Sequence, residues 1–303
     1  MLCGGVGAAR LVTGLVQIED EASLTCVINV GDDLVVHGLH VSPDIDTVTY
    51  TLAGLNNEAT GWGVDDESWR VMDELAELGG PTWFRLGDRD LATHLYRTGR
   101  LRGGASLADV TGELARARGV RATMLPVTND VLATMLTTEA GERLTFQEYF
   151  VARRHDVAVS KVEFLGAADS TPAPRVLEAI RSSAKLVLAP SNPLVSIDPI
   201  LAVPGVASTV ASRRDDVIGI SPIVAGAAIK GPADRLLREL GHEASALGVA
   251  RLYEGLIGTF VIDERDAALQ GAVERLGMRC IVTDTMMTDR ARSAALAKVV
   301  CDA

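Results

Sequence analysis

The residues of this chain that could do chemistry begin with a glycine-rich segment, Gly4-Gly5-Val6-Gly7-Ala8-Ala9-Arg10. Glycines let backbone N–H groups approach a phosphate closely, and the positive end of a following helix attracts the same anion. The segment is not a full dinucleotide fingerprint, because Arg10 stands where the third glycine would be, and no Gly-Lys-Ser/Thr of a Walker loop follows. It is therefore a candidate phosphate-binding loop, with a plain turn between a strand and a helix as the alternative.

Carboxylates cluster in the two segments that follow. Gly31-Asp32-Asp33 comes directly after the apolar run Leu24–Val30, where acidic residues could hold ribose hydroxyls, bind a divalent cation or lie in an exposed turn. The segment Ser42–Thr47 (SPDIDT) places Asp44 and Asp46 at the start of a predicted helix, where capping is their ordinary role. Because four carboxylates lie so close along the chain, a shared oxygen-rich site for Mg²⁺ and bound phosphates is the functional alternative.

Polar loops farther along could bind other parts of a ligand. The segment Leu86–His94 (LGDRDLATH) opens another predicted helix, and its Arg89 and His94 could face a ligand or could be solvated surface groups. Pro190-Ser191-Asn192-Pro193 follows a predicted strand directly, and Ser221-Pro222 repeats this pattern one strand later. Two stiff polar loops at successive strand ends could hydrogen-bond a base or a ribose, although each alone is more simply a structural turn.

Several common catalytic motifs are missing from the sequence. It contains no Gly-x-Ser-x-Gly elbow, no His-Glu-x-x-His and no cysteine beside a plausible base. A glycine loop, clustered aspartates and loop arginines instead fit phosphoryl-group chemistry, in which positioning and charge neutralisation dominate.

Composition limits the classes of partner. The 303 residues carry 29 Lys and Arg against 40 Asp and Glu, a net charge of −11, which disfavours a nucleic-acid binder with its usual basic face. No apolar run approaches the ~18 residues of a membrane-spanning helix, and the start lacks the regions of a signal peptide. Four scattered cysteines favour a reducing cytoplasm. We therefore expect a cytoplasmic protein that acts on small molecules, with neither a nucleic acid nor a membrane as partner.

Short apolar runs alternate with amphipathic helices at both ends of the chain. This pattern predicts an α/β, Rossmann-like fold with a mainly parallel sheet and flanking helices. Residues 1–55 and 166–303 form the predicted nucleotide-binding core, and residues 56–165, which hold nine of the twelve aromatic residues, form a predicted inserted α+β subdomain. Only three residues precede the glycine loop, so either the first strand is short or the chain starts upstream of Met1. Because parallel sheets bind ligands at the carboxyl ends of their strands, we expect these loops to meet at one edge.

The same residues resemble those of the 2-phospho-L-lactate transferase family of coenzyme F-420 biosynthesis. The resemblance runs across nearly the whole chain, and its most specific part is the combination of SPDIDT with LGDRDLATH. It also includes the glycine loop, Asn29–Asp33, Gly103–Ser106, Pro190–Pro193, Ser221–Ile223 and Asp284–Met287. The 25 arginines against 4 lysines suit an actinobacterial member, for which the related activity is phosphoenolpyruvate transfer.

The resemblance implies a reaction. A guanosine diphosphate that carries lactate or enolpyruvate on its terminal phosphate is attacked by the ribityl hydroxyl of the deazaflavin FO (7,8-didemethyl-8-hydroxy-5-deazariboflavin). The phosphate-linked acid passes to FO and GMP leaves, with Mg²⁺ as cofactor. The resemblance also implies a homodimer, with the inserted subdomain helping to form the deazaflavin site. It leaves the choice between a lactyl and an enolpyruvyl donor open.

The resemblance also assigns residues to roles. Asp46, Arg89 and His94 would contact the deazaflavin. Asp33 and Asp46 would bind the metal, and Asp46 is the hypothesised catalytic residue because it can lie near both the metal and the hydroxyl. The nucleotide-binding residues would be Gly5, Gly7, Arg10, Ser191, Asn192 and Ser221.

Two other functions stay open at this point. One is a non-catalytic nucleotide-sugar or NAD binder like the regulatory gluconeogenesis-factor relatives, which share the glycine loop and an aspartate-bearing strand end. SPDIDT and LGDRD argue against it. The other is a nicotinamide reductase, which the arginine in place of the third glycine disfavours.

Overall fold

The computed structural model describes residues 1–303. In chain order its strands are Leu2–Cys3 (β1), Thr25–Ile28 (β2), Leu34–Val36 (β3), Leu39–Val41 (β4), Thr123–Pro126 (β5), Ala133–Thr138 (β6), Arg143–Thr145 (β7), Val159–Leu165 (β8), Leu186–Leu188 (β9), Val217–Ile220 (β10), Ile223–Val224 (β11), Ala227–Ala228 (β12), Thr259–Asp263 (β13) and Arg279–Thr283 (β14). The helices are Gly5–Ile18 (α1), Pro43–Leu52 (α2), Arg70–Glu77 (α3), Asp88–Arg102 (α4), Leu107–Ala117 (α5), Val176–Ser182 (α6), Asp198–Leu201 (α7), Val206–Ala211 (α8), Ala233–Glu239 (α9), Ala246–Leu252 (α10), Gln270–Glu274 (α11) and Arg290–Asp302 (α12).

Seven parallel strands form the main sheet in the order β14-β13-β10-β9-β1-β2-β5. The two-residue strand β1 lies inside the sheet, where Leu2 is opposite both Val27 of β2 and Leu188 of β9. After β1, the chain adds β2 and β5 on one side of it. The later strands β9, β10, β13 and β14 are added in turn on the other side. The crevice between β1 and β9 is therefore the point where strand order reverses, which is the usual ligand site of such sheets.

Helices cover both faces of this sheet, so its strands consist mainly of apolar residues. Strands β9, β10 and β13 are buried at every position, as expected for a parallel sheet between two helical layers. On one face, α1 packs against α12 through a cluster that includes Leu11, Leu15 and Leu296. The other face belongs to a larger cluster of 51 buried residues. The predicted α/β, Rossmann-like class is confirmed.

The segment 56–165 contains a second sheet and also reaches the first. Strands β7, β6 and β8 form an antiparallel sheet in that order. Strand β5 lies in the same segment but is the edge strand of the main parallel sheet, paired with β2. The predicted division of the chain into 1–55 with 166–303 and an insertion at 56–165 stays a prediction, and β5 shows that the insertion shares one strand with the core.

Most local predictions agree with the structure. Helix α2 begins at Pro43, and α5 begins at a complete capping box in which Ser106 and Asp109 exchange hydrogen bonds. The hairpin β3–β4 has no counterpart in the sequence pattern, because its strands have only three residues each, too few for a recognisable alternation. No helix of the chain combines the length and the apolar character needed to cross a bilayer.

Candidate active site

A cavity of about 370 Å³ opens at the carboxyl edge of the main sheet. The loops that follow β1, β2, β9, β10 and β14 all contribute to it, together with α2, α4 and residues around 146–151 and 229–233. The predicted residues that line it are Gly5, Gly7, Arg10, Asp46, His94, Ser191, Asn192 and Ser221. Loops that are far apart in sequence therefore meet here, as the parallel topology requires.

The glycine loop is shaped by close packing. Gly5 has a φ of +68°, a left-handed conformation that glycine adopts without strain. A Cβ added at Gly7 would overlap the carbonyl oxygen of Pro190, and one at Gly4 would overlap the carboxylate of Asp44. Helix α1 starts here without a side-chain cap, so the glycines bring the first N–H groups of the helix and two other loops together.

Two buried carboxylates share one amide beside this loop. Asn29 Nδ2 donates to Asp32 Oδ1 at 3.2 Å and to Asp44 Oδ2 at 3.0 Å, while Gln147 Nε2 donates to the other oxygen of Asp32 at 3.3 Å. Burial raises the pKa of Asp44 to about 7, although hydrogen bonds from Asn29 and Gly5 lower it in part. Burial, followed by the charge of Asp44, raises the pKa of Asp32 well above its usual value.

This carboxylate pair has the chemistry of a site for a hard divalent cation. No lysine, arginine or histidine forms an ion pair with Asp32 or Asp44, so no cation of the protein compensates these carboxylates when they are ionised. Carboxylate and amide oxygens are the ligands that Mg²⁺ prefers. The residues present therefore fit a divalent cation at Asp32 and Asp44.

The predicted metal ligands, Asp33 and Asp46, are held by other side chains. Asp33 Oδ2 accepts hydrogen bonds from Ser42 Oγ at 2.7 Å and lies 2.9 Å from His40 Nε2, and Asp33 does not line the cavity. Its other oxygen is buried without a partner. Both oxygens of Asp46 contact the guanidinium of Arg97, with a distance of 3.0 Å from Nη1 to Oδ2. The structure does not bring Asp33 and Asp46 together as open ligands.

A buried polar network on α2 and α4 forms one part of the cavity wall. The fully buried Arg97 pairs with Asp46, and its Nη1 lies 3.2 Å from His94 Nδ1. On the other side of the ring, His94 Nε2 lies 3.1 Å from Asp90 Oδ1, which accepts the hydroxyl of Tyr50 at 2.6 Å. Oxygens of Asp46 and Asp90 and a nitrogen of His94 lie close enough to share a metal ion, but the guanidinium among them would repel one.

Two cationic side chains that line the cavity have no counter-ion in the protein. Arg10 and Lys230 both line it, and neither forms an ion pair with a carboxylate of the protein. The Lys230 ammonium donates to the carbonyl of Thr60. Burial, and then the charge of Arg10, lowers the pKa of Lys230. Two neighbouring cations without a protein counter-ion are an arrangement that an anionic ligand would stabilise.

The polar loops after β9 and β10 are well ordered by their own hydrogen bonds. Ser191 Oγ donates to the carbonyl of Gly4 at 2.7 Å, Asn192 Oδ1 accepts from Leu194 N at 3.0 Å, and Ser221 Oγ donates to the carbonyl of Ile223 at 2.7 Å. These side chains hold the loops in place, and the Asn192 amide Nδ2 stays available to a ligand at the cavity wall.

Aromatic side chains form another part of the lining of the cavity. Phe146 and Phe150 stack with ring centroids 5.5 Å apart and an interplanar angle of 12°. Both line the cavity together with Phe84 and the half-exposed Trp62. Flat apolar surfaces of this kind suit a planar ring system.

Arg89 is the second predicted residue that does not line the cavity. Its guanidinium is exposed and donates to the carbonyl of Asp65 at 2.6 Å. It follows Asp88 at the start of α4, where its side chain points away from the buried side on which Asp90 and His94 lie.

Sequence reasoning missed several residues of the site. Asp90, His94 and Arg97 fall at positions i, i+4 and i+7 of one helix, so helical spacing alone puts them on one face and could have identified Asp90 and Arg97. Lys230 is one of only four lysines and precedes a Gly-Pro turn, a weaker signal. No local pattern indicates that Gln147 reaches Asp32, since 115 residues separate them.

Comparison with known proteins agrees with this architecture. A member of the UPF0052 family from Bacillus halodurans superposes with a TM-score of 0.63 at 17% sequence identity, covering 99% of this chain and 97% of that one. Similarity at this level shows the fold alone.

Other proteins are similar to this chain in sequence as well. A phosphoenolpyruvate transferase from Streptomyces griseus is 44% identical over 303 residues, covering 98% of this chain and 95% of the relative. A 2-phospho-L-lactate transferase from Methanosarcina mazei is 37% identical over 300 residues, covering 99% and 98%. The family model described as 2-phospho-L-lactate transferase CofD matches residues 1–298. The chain therefore belongs to the 2-phospho-L-lactate transferase family and is a transferase enzyme.

Proposed function

We propose that this enzyme transfers a phospholactyl or phosphoenolpyruvyl group from a guanosine-diphosphate-activated donor to the deazaflavin FO, with release of GMP, in coenzyme F-420 biosynthesis. The observation that carries the proposal is one cavity that joins two uncompensated cations, a buried carboxylate pair and an aromatic wall. A diphosphate needs the first two features, and a planar acceptor needs the third.

The donor would occupy the crevice between β1 and β9. The first N–H groups of α1, with Arg10 and Lys230, would bind its phosphate oxygens. Asn192 would hydrogen-bond the nucleoside through its free amide, beside the loops after β9 and β10 that Ser191 and Ser221 hold in place. The loop after β14, at 285–288, also lines this side; its position is held by Asp263, which accepts from Thr285 N at 3.0 Å and from Thr285 Oγ1 at 2.9 Å.

Mg²⁺ is the cofactor of the proposed reaction, and Asp32 and Asp44 would hold it. When bound, it supplies positive charge that neutralises phosphate oxygens as the phosphorus–oxygen bond to GMP breaks. Asn29 and Gln147 orient the two carboxylates through the hydrogen bonds described above. The ligand set Asp33 with Asp46 stays a prediction from the family resemblance.

The acceptor would lie against Phe146 and Phe150, with its ribityl chain directed toward α4. His94 lines that end of the cavity, where it would contact the deazaflavin. Because phosphoryl transfer depends mainly on positioning and charge, the protein's task there is to hold the hydroxyl in line with the phosphorus and to exclude water.

Product analysis tests the proposal. The enzyme is incubated with FO, Mg²⁺ and each activated donor, and the products are identified by mass spectrometry. We expect a deazaflavin that has gained a phospholactyl or phosphoenolpyruvyl group, with one GMP per product. Its mass also decides between the two donors. Absence of a deazaflavin product, together with tight binding of a nucleotide sugar or NAD, would favour the regulatory gluconeogenesis-factor type instead.

We also infer that the enzyme is a homodimer, as the family resemblance implies. Support comes from an apolar groove of about 540 Å³ between α3, α4 and the β3–β4 hairpin. Val71, Leu78 and Leu95 line it with side chains that are 47%, 84% and 56% exposed, and a second copy would bury them.

A further inference from the structure

The proton positions of His94 follow from its neighbour Arg97. A guanidinium carries only donors and stays charged in proteins. Because Arg97 Nη1 lies 3.2 Å from His94 Nδ1, Nδ1 must be the acceptor and carry no proton. His94 is therefore neutral, and its single ring proton is on Nε2.

That Nε2–H is buried in the wall of the cavity without an aligned partner. His94 is 1% exposed, and its Nε2 makes no aligned hydrogen bond within the protein, although Asp90 Oδ1 lies 3.1 Å away. Tyr50 donates to the same Asp90 oxygen at 2.6 Å, which leaves Asp90 Oδ2 without a protein donor. Buried polar atoms normally have a protein or water partner, so a buried donor beside an open acceptor marks a position for a group that both accepts and donates.

A hydroxyl group is the ligand chemistry that matches this pair, because it accepts one hydrogen bond and donates another. Phosphate oxygens only accept and would be repelled by Asp90, while an ammonium only donates. Asp90, His94 and Tyr50 all line the cavity, on the side toward which the acceptor's ribityl chain would point.

We propose that Asp90 and His94 bind the attacking hydroxyl of the acceptor, an inference that rests on the proposed function. The hydroxyl accepts from His94 Nε2–H and donates to Asp90. As its oxygen forms a bond to the donor's terminal phosphorus, the bond from that phosphorus to the oxygen of GMP breaks, and the hydroxyl proton passes to the Asp90 carboxylate.

Arg97 and Asp46 are positioning residues in this scheme. Arg97 sets the tautomer of His94 through Nδ1, and Asp46 fixes Arg97 with both of its oxygens. Asp46 is therefore occupied by a guanidinium, and the proton acceptor is Asp90.

Two substitutions of His94 distinguish the roles of its two ring nitrogens. The amide of His94→Gln reaches the place of Nε2, whereas that of His94→Asn reaches only the place of Nδ1. We expect His94→Gln to keep kcat within about tenfold of wild type and His94→Asn to lose about a hundredfold or more, as general acid–base and hydroxyl-binding groups typically contribute. The exposed His242, changed to Gln and to Asn, is the matched control. Equal losses in the two His94 variants, both folded, would overturn the proposal.

A second readout needs no turnover. NMR spectra of protein labelled with ¹⁵N-histidine contain signals from only five histidines. The signals that disappear in His94→Gln are those of His94. We expect one protonated and one unprotonated ring nitrogen, with the proton on Nε2, and a shift of the Nε2 signal when FO is added. A doubly protonated ring, or a proton on Nδ1, would overturn the inference.

The outcomes also distinguish this inference from the proposed function. If wild type makes no deazaflavin product and FO causes no shift, the proposed function fails. If wild type turns over while Asp90→Asn and His94→Asn do so equally well, the assignment of the hydroxyl site fails alone.

Discussion

Gly7 packs directly against the backbone carbonyl of Pro190, with no room for a side chain between them. This contact joins the first turn of α1 to the loop after β9, at the crevice where strand order reverses. The glycine is therefore required by the packing of the helix against that loop, and the shape of the proposed donor site depends on it.

Replacing Gly7 with alanine should destabilise the enzyme and weaken nucleotide binding, because the new methyl group would overlap a backbone atom. Overpacking of this kind costs about 1–3 kcal/mol. Urea unfolding measures the loss, and calorimetry with GDP measures binding. In the control Gly99→Ala, the methyl group meets no atom within 4 Å, so this change within α4 should stabilise by about 0.5–1 kcal/mol. Equal stabilities for the two variants would contradict the close contact.

Lys230→Met should weaken GDP binding while leaving the fold intact. The long apolar side chain keeps the packing of the lysine stem, and only the charge is lost. A hydrogen bond to a charged group contributes about 1.5–3 kcal/mol, so Kd should rise roughly ten- to a hundredfold. Lys298→Met, at an exposed position of α12, is the control and should leave Kd unchanged. Unaltered GDP binding by Lys230→Met would show that this cation does not contact the nucleotide.

The sequence predicts the fold well because short buried strands and amphipathic helices alternate along it. The helix start at Pro43 was predicted, and the one at Ser106 is recognisable in the same way, because proline and the capping box act locally. The glycine loop and the polar loops after β9 and β10 were predictable as one site, since the ends of parallel strands share one edge of a sheet.

What local patterns could not supply is the partner of each carboxylate. Asp33 and Asp46 look like Asp32 and Asp44 in the sequence, and only tertiary contacts distinguish them. Arg97 reaches Asp46 from 51 residues away, whereas Asn29 joins Asp32 and Asp44. Long-range pairing therefore decides which aspartates are held by the protein and which are left for a ligand.

Asp198, a largely buried carboxyl group outside the cavity, should contribute stability that falls as pH rises. Burial raises the pKa of Asp198 to about 7 in the folded enzyme, against an unfolded value near ~3.9. Because the carboxyl group binds its proton more tightly in the folded state, its contribution to the free energy of unfolding is complete below the pKa of the unfolded state. That contribution is lost as pH rises from about 4 to about 7. The loss is at most about 4 kcal/mol.

Urea unfolding at several pH values measures this contribution. Asp198→Asn should remove that part of the pH dependence and should be more stable than wild type at pH 8. Asp215→Asn is the control, because the Asp215 side chain is 96% exposed, and its stability curve should follow that of wild type. If Asp198→Asn retains the wild-type slope between pH 4 and 7, another group is responsible.

The apolar groove gives a prediction about assembly. Leu78→Glu places a charge in the groove proposed to contact the second copy, so it should convert a dimer to a monomer with little effect on the unfolding free energy of each chain. Light scattering after size exclusion gives the mass. Leu165→Glu, at an exposed apolar residue outside the groove, is the control. A dimer that persists in Leu78→Glu would place the interface elsewhere.

The two candidate metal sites make opposite predictions for the effect of Mg²⁺ on stability. A ligand that binds only the folded state raises Tm, and the increase grows with the logarithm of the ratio of ligand concentration to Kd. Wild type should therefore melt at a higher temperature when Mg²⁺ and GDP are present together. Asp44→Asn should fold normally, because it relieves repulsion between two buried carboxylates, but it should lose the increase caused by Mg²⁺. Asp33→Asn should retain that increase, because Asp33 is bound by Ser42 and His40.

Calorimetric titration of Mg²⁺ into each GDP-bound variant gives the affinities directly. Loss of Mg²⁺ binding in Asp33→Asn, with retention in Asp44→Asn, would instead support the ligand set implied by the family resemblance. Asp46→Asn separates two roles. If Asp46 only fixes Arg97, this variant should still bind Mg²⁺ but lose turnover, because His94 loses its fixed orientation. If Asp46 is a metal ligand, affinity for Mg²⁺ and turnover should fall together.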